Sequence, residues 1–166
     1  MGLNFKKIIF ILAAGILCAS ARPCSLARDY RIKFNAHTCI KPYNAYNYVT
    51  CHTIPVTINK TKIFIPKNFE TDLASIPRWL WPIVAPAHSK LMQASILHDY
   101  LYAEPEGFNR KEIDSIFYDV LVNNGVDKTH AYLMYSAVRL FGGSHFNYAE
   151  VAGHHVKRLL NIHGKT

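Results

Sequence analysis

The hydrophobic period of this chain changes once, and that change constrains the fold more than any other feature. Up to about Pro66 the apolar residues alternate in short β-branched runs, Val56-Thr57-Ile58 and Lys62-Ile63-Phe64-Ile65, around Asn59-Lys60-Thr61. Alternation with a period of two gives a strand one buried face, and two such runs across a short polar turn read as a hairpin. Beyond Ser89 the apolar residues recur every three or four positions, the spacing that lays a stripe along a helix. Ser89 caps the first such segment, which runs to about Ala103. Asn109 with Glu112 three residues later forms a capping-box start for the second, and Gly125 ends it. Asp127 opens a third helix, closed by Gly142-Gly143, and a fourth is expected over 145–160, weakened by Gly153. The expected class is therefore α+β: a β-ribbon with loops over 22–66, a connector loop over 67–88 and about four helices over 89–162, all in one domain.

Lys6 and Lys7 precede an uncharged apolar run over 8–18, and Ala19-Ser20-Ala21 follows. A positive start, an apolar stretch short for a bilayer and a small-residue cleavage site predict a signal peptide over 1–21, and hence a secreted or periplasmic protein. A lipoprotein anchored at Cys18 is the rival reading, and Leu17 is bulky for that cleavage. The formal net charge of +8 predicts attraction to phospholipid or another anionic envelope surface. Along the chain the basic residues are scattered rather than striped, which argues against specific nucleic-acid readout. Of the four cysteines, Cys18 leaves with the leader. One disulfide among Cys24, Cys39 and Cys51 is expected in an oxidising compartment, with Cys39–Cys51 preferred. Oligomeric state is left open.

Polar groups set among core residues need partners, because burying them alone costs several kcal/mol, roughly 2–7 for a neutral group. His98, Asp99 and Tyr102 are such groups in Ile96-Leu97-His98-Asp99-Tyr100-Leu101-Tyr102, and Asp114 falls in the next apolar segment. Successive helix positions diverge by about 100°, so His98 and Asp99 serve different partners, whereas Tyr102 shares the face of His98. Asp114 is the natural acid to orient the imidazole, leaving one ring nitrogen to take a proton from water. Asp99 and Asp72, with a backbone carbonyl, offer the hard oxygens that suit calcium. The alternative is a hydrogen-bond network that only braces helices. In the same way, Asp72 can stabilise the bend at Ser75-Ile76-Pro77, Trp79 and Trp81 can be core or lid packing rather than a lipid contact, and His154, His155 and His163 fit a solvated face.

The pattern His98-Asp99-x-x-Tyr102 on a helix, followed by a helix bearing Asp114, resembles the signature of secreted phospholipases A2, above all their short bacterial and fungal branch. That resemblance implies His98 as general base, Asp114 and Tyr102 orienting it, and calcium held by Asp99 together with Asp72 and the carbonyl of Leu73. It covers about residues 70–124. The family's disulfide-stapled helices and glycine-rich calcium loop have no counterpart here. A longer pattern is closer in text. Ile65-Pro66-x-x-Phe69, Thr71-Asp72-x-Ala74-Ser75-Ile76-Pro77, His98-Asp99-x-Leu101-Tyr102, Asp114 and Val138-Arg139-Leu140-Phe141-Gly142 together resemble a family of unknown function common in phage and bacterial genomes. Two functions follow as expectations: an exported, calcium-dependent ester hydrolase, or a non-enzymatic protein of a phage or envelope.

Overall fold

The computed structural model describes residues 26–45, 47–73 and 88–146. Six strands come first: β1 (Ile32–Phe34), β2 (Ile40–Pro42), β3 (Tyr48–Thr50), β4 (Ile54–Ile58), β5 (Thr61–Ile65) and β6 (Glu70–Thr71). Three helices follow: α1 (His88–Ala103), α2 (Arg110–Asn123) and α3 (Lys128–Phe141). Helical geometry resumes at 143–146, the first turn of a fourth helix. The protein is α+β, with its strands ahead of its helices.

The strands form two antiparallel three-stranded sheets, ordered β1-β4-β5 and β2-β3-β6. In the first, Ile58 pairs with Thr61, so Asn59 and Lys60 alone make the turn. Asn59 takes a φ of +54°, a left-handed conformation that asparagine tolerates better than most residues. Ile54, Val56, Ile58, Ile63 and Ile65 all face the core, while Lys62 and Phe64 point to solvent. Alternation fixes that choice, since a slip of one residue would turn every isoleucine outward. In the second sheet Cys39 and Cys51 form a disulfide across a Cα–Cα distance of 5.4 Å, next to the paired Ile40 and Thr50. β6 lies within the stretch expected to be a connector. It pairs Thr71 with Tyr48.

The ends of α2 and α3 follow their capping residues, whereas α1 opens at His88 and takes the expected cap Ser89 inside it. Asn109 accepts from the Glu112 amide, and the Glu112 side chain accepts from the Asn109 amide, closing the capping box. Gly125, at φ +81°, takes the left-handed turn after α2 that a glycine makes without Cβ strain. Asp127 caps α3 through the amides of Thr129 and His130. Ile96, Leu97 and Leu101 of α1 join Ile113, Ile116, Phe117 and Leu121 of α2 and Met134 of α3 in the centre of the core. No helix among the described residues is long and apolar enough to cross a membrane. The expected leader, Cys24, Ser75, Trp79, Trp81, His154, His155, His163 and most of the fourth helix lie outside the described residues.

Candidate active site on three helices

α1 is buried along most of its length, with every residue over 94–98 and 100–102 inside. Its polar residues must therefore find partners within the protein. His98 is 3% exposed and Asp114 is 0% exposed, and His98 Nε2 lies 2.8 Å from Asp114 Oδ1. The Tyr102 hydroxyl, one turn on from His98, donates to the same oxygen at 2.7 Å. Arg139, from the last turn of α3, donates through Nη1 to Asp114 Oδ2 at 2.8 Å. One carboxylate on α2 thus joins a histidine of α1 to an arginine of α3.

Arg110 completes the frame. Its Nη2 donates to the carbonyls of Val138 and Arg139 at 2.9 and 2.6 Å, and its Nε donates to the Tyr102 hydroxyl at 3.3 Å. At the same helix end a Cβ on Gly142 would stand 2.8 Å from the Tyr102 oxygen. Only a glycine lets the chain pass so close without displacing that ring.

These contacts set the charges. Burial works against ionising Asp114, but the hydrogen bond and charge of His98, with the hydrogen bonds of Arg139 and Tyr102, hold its carboxyl below the usual range. Burial likewise works against an imidazolium at His98, and the hydrogen bond and charge of Asp114 outweigh it, raising the histidine above its ordinary value. Asp99 Oδ1 stands 4.0 Å from His98 Nδ1, beyond hydrogen-bond range, so Asp99 adds to this shift through its charge. Burial, then the Asp114 charge, push Tyr102 upward and keep it protonated.

His98 Nδ1 is buried and has no hydrogen-bond partner among the described residues. With Nε2–H directed at a carboxylate, the neutral ring keeps its lone pair on Nδ1. The ring is wedged between Tyr102 and Phe117, at centroid distances of 4.0 and 5.0 Å. Such packing holds it in one orientation.

Of the expected metal residues, Asp99 lies on α1, and Asp72 and Leu73 directly follow β6. Asp99 Oδ2 accepts from the Thr71 hydroxyl at 2.5 Å, so that oxygen already has a partner on β6. Thr71 Oγ1 in turn accepts from the Leu73 amide at 3.2 Å. Asp72 is exposed, and Leu73 is half-buried with a φ of +54°. Among the described residues no group of three or more His, Cys, Asp or Glu side chains is placed to hold a metal.

Sequence reasoning brought His98, Tyr102 and Asp114 to one place and separated Asp99 from them. It missed Arg139, Arg110 and Thr71 as partners. A signal for two of them was present: Arg139 sits in Val138-Arg139-Leu140-Phe141-Gly142 and Thr71 opens Thr71-Asp72. Nothing in the text marks Arg110, whose partners are mostly backbone carbonyls.

Fold and site together define an α+β domain with a buried His–Asp–Arg network across three helices. The chain belongs to the family described as protein of unknown function (DUF1353), which it matches over residues 50–138. That span takes in Thr71, His98, Asp99, Tyr102 and Asp114 and stops one residue before Arg139. The chain is similar to the uncharacterized protein y4iH of Sinorhizobium fredii (strain NBRC 101917 / NGR234), 36% identical over 77 residues, or 46% of this chain and 32% of that protein. It is also similar to the uncharacterized protein y4jT of the same strain, 33% identical over 85 residues, or 51% of this chain and 25% of that one. The match spans about a third and a quarter of these relatives' lengths. No solved structure matches the chain.

Proposed function

We propose that this protein is an exported ester hydrolase, phospholipase A2-like in its use of a histidine base, acting at an anionic lipid surface. One observation carries the reading: a buried imidazole with one nitrogen anchored on a carboxylate and the other unpartnered among the described residues. In the step this supports, Nδ1 takes a proton from water as the water oxygen bonds to the ester carbonyl carbon. Asp114 stabilises the imidazolium, and Arg139 and Tyr102 keep that carboxylate fixed. Collapse of the tetrahedral intermediate breaks the carbon–oxygen ester bond, and the imidazolium returns its proton to the leaving alkoxide. The products are a carboxylic acid and an alcohol. Calcium held by Asp99, Asp72 and the Leu73 carbonyl would polarise the ester carbonyl, and the proton transfers belong to His98.

The test is fatty-acid release from phosphatidylglycerol vesicles, with calcium and with a chelator. General-base catalysis contributes about 10²–10⁴-fold, so His98→Ala is expected to lower kcat/KM at least about 100-fold while circular dichroism shows an intact fold. Undiminished release by that variant would sink the proposal.

A second reading is favoured by the complete burial of Asp114 and its contacts to all three helices. Here the network only braces the bundle, and the protein is a non-enzymatic component of a phage or envelope. It expects no turnover on any ester. It also expects Asp114→Ala to lose about 3–5 kcal/mol, the usual consequence of stranding a buried partner charge.

A further inference from the structure

Read along the chain the basic residues are scattered, but the fold sorts them. From Tyr30 to Phe69, the stretch that builds five of the six strands, there are six Lys or Arg residues and no Asp or Glu. All six, Arg31, Lys33, Lys41, Lys60, Lys62 and Lys67, are exposed. Over 88–146, where the helices lie, five Lys or Arg face seven Asp or Glu. The described part of the molecule is therefore electrically uneven: its first five strands carry cationic side chains and no acid, Glu70 of β6 adds one acid at the edge of the second sheet, and the helical part is weakly anionic.

Among those strands the first sheet presents a defined face. Its inner side carries the core isoleucines, so alternation sends Lys33, Thr57, Lys62, Pro55 and Phe64 outward. Lys33 pairs with Thr57 and Thr57 with Lys62, which puts the two lysines in one row across three strands. Phe64, beside Lys62 in the next row, leaves 58% of its surface in water. An aromatic ring left in water beside two lysines, with no acid on the face, suits a partner that offers both negative charge and an apolar layer.

We infer that this outer face of the β1-β4-β5 sheet is a docking surface for an anionic phospholipid bilayer, with Lys33 and Lys62 on headgroup phosphates and Phe64 entering the acyl boundary. Charge complementarity selects the partner, and a face with one exposed ring, the exposed Tyr43 and Tyr48 lying in or next to the second sheet, favours a lipid over single-stranded nucleic acid, which needs a series of stacking platforms. The inference deepens the proposed lipid substrate, but the docking itself does not depend on catalysis.

The experiment measures partitioning of the purified full chain onto vesicles of mixed phosphatidylglycerol and phosphatidylcholine, and onto pure phosphatidylcholine. The readout is the ratio of the two affinities. K33S/K62S is expected to reduce that ratio about thirtyfold, since each lysine near an anionic surface contributes about a factor of five. Phe64→Ser is expected to weaken anionic binding further, and the control K111S/K128S, on the helices, to leave the ratio within about twofold. His98→Ala is expected to keep the full ratio, so loss of hydrolysis with docking intact would fault the catalytic reading alone. Equal affinity for the two kinds of vesicle would overturn the inference. So would an unchanged ratio in K33S/K62S, a matching loss in the helix control, or tighter binding to a single-stranded oligonucleotide than to the anionic vesicles.

Discussion

Asp114 has no exposed surface, yet it carries a charge, and three side chains from the two other helices make that tolerable. Arg139 supplies a full opposite charge, His98 a second that depends on pH, and Tyr102 a neutral hydroxyl. A buried carboxylate so held favours its ionised form, and an imidazole beside it favours the protonated one. Stability and activity should then move oppositely with pH. The raised value of His98 means its contribution is fully present below the ordinary histidine value of 6.5 and is lost as pH rises through the higher folded value. The lowered value of Asp114 means its contribution is present above the ordinary 3.8 and is lost as pH falls through the lower folded value. Thermal unfolding between pH 4 and 9 is therefore expected to show Tm falling on the alkaline side, with that arm flattened in His98→Asn. Hydrolysis needs the neutral base, so kcat/KM should rise over the same alkaline range. A wild-type Tm that stays level from pH 6 to 9 would contradict the assigned shifts.

Elements are placed by their ends as much as by their faces. Asn109 and Glu112 satisfy each other's backbone amides, so α2 starts at Arg110 and Asp114 falls on the turn that meets His98. One residue of slippage would rotate that carboxylate by about 100° away from α1. Asn109→Ala is expected to cost about 1 kcal/mol in urea unfolding, with no change in the denaturant slope because the exposed surface on unfolding is the same. The end of α3 is fixed from outside by Arg110, which binds its last carbonyls. The α3 end and the α2 start are thereby one joint. This explains why the text around 138–142 carried a recognisable pattern without indicating what it touched.

At the scale of the molecule, the second sheet links the disulfide to the site. Cys39–Cys51 closes the β2–β3 pair, β3 holds β6, and Thr71 of β6 holds Asp99 of α1. The bridge joins residues 12 apart, a separation for which chain-entropy models give about 3 kcal/mol of stabilisation. C39S/C51S is expected to lose about that much in chemical unfolding. The hydrophobic core of the first sheet and helices does not involve the bridge, so the variant should still fold.

Local chemistry was readable from the text because it is carried by neighbours. Alternation at 56–65 gave the hairpin, Asn109 with Glu112 and Asp127 gave two helix starts, and His98-Asp99-x-x-Tyr102 with Asp114 indicated which groups face one another. The limit came where distance in sequence stopped predicting distance in space. Arg139 and Arg110 reach Asp114 and the α3 carbonyls only because three helices pack at one level, and long flexible side chains leave no periodic trace of where they end. Thr71 was hidden in a supposed loop, since a two-residue strand has no alternation to detect. The scattered lysines became a cationic face only when β1, β4 and β5 were laid side by side, because pairing register is a property of strands together and of no strand alone.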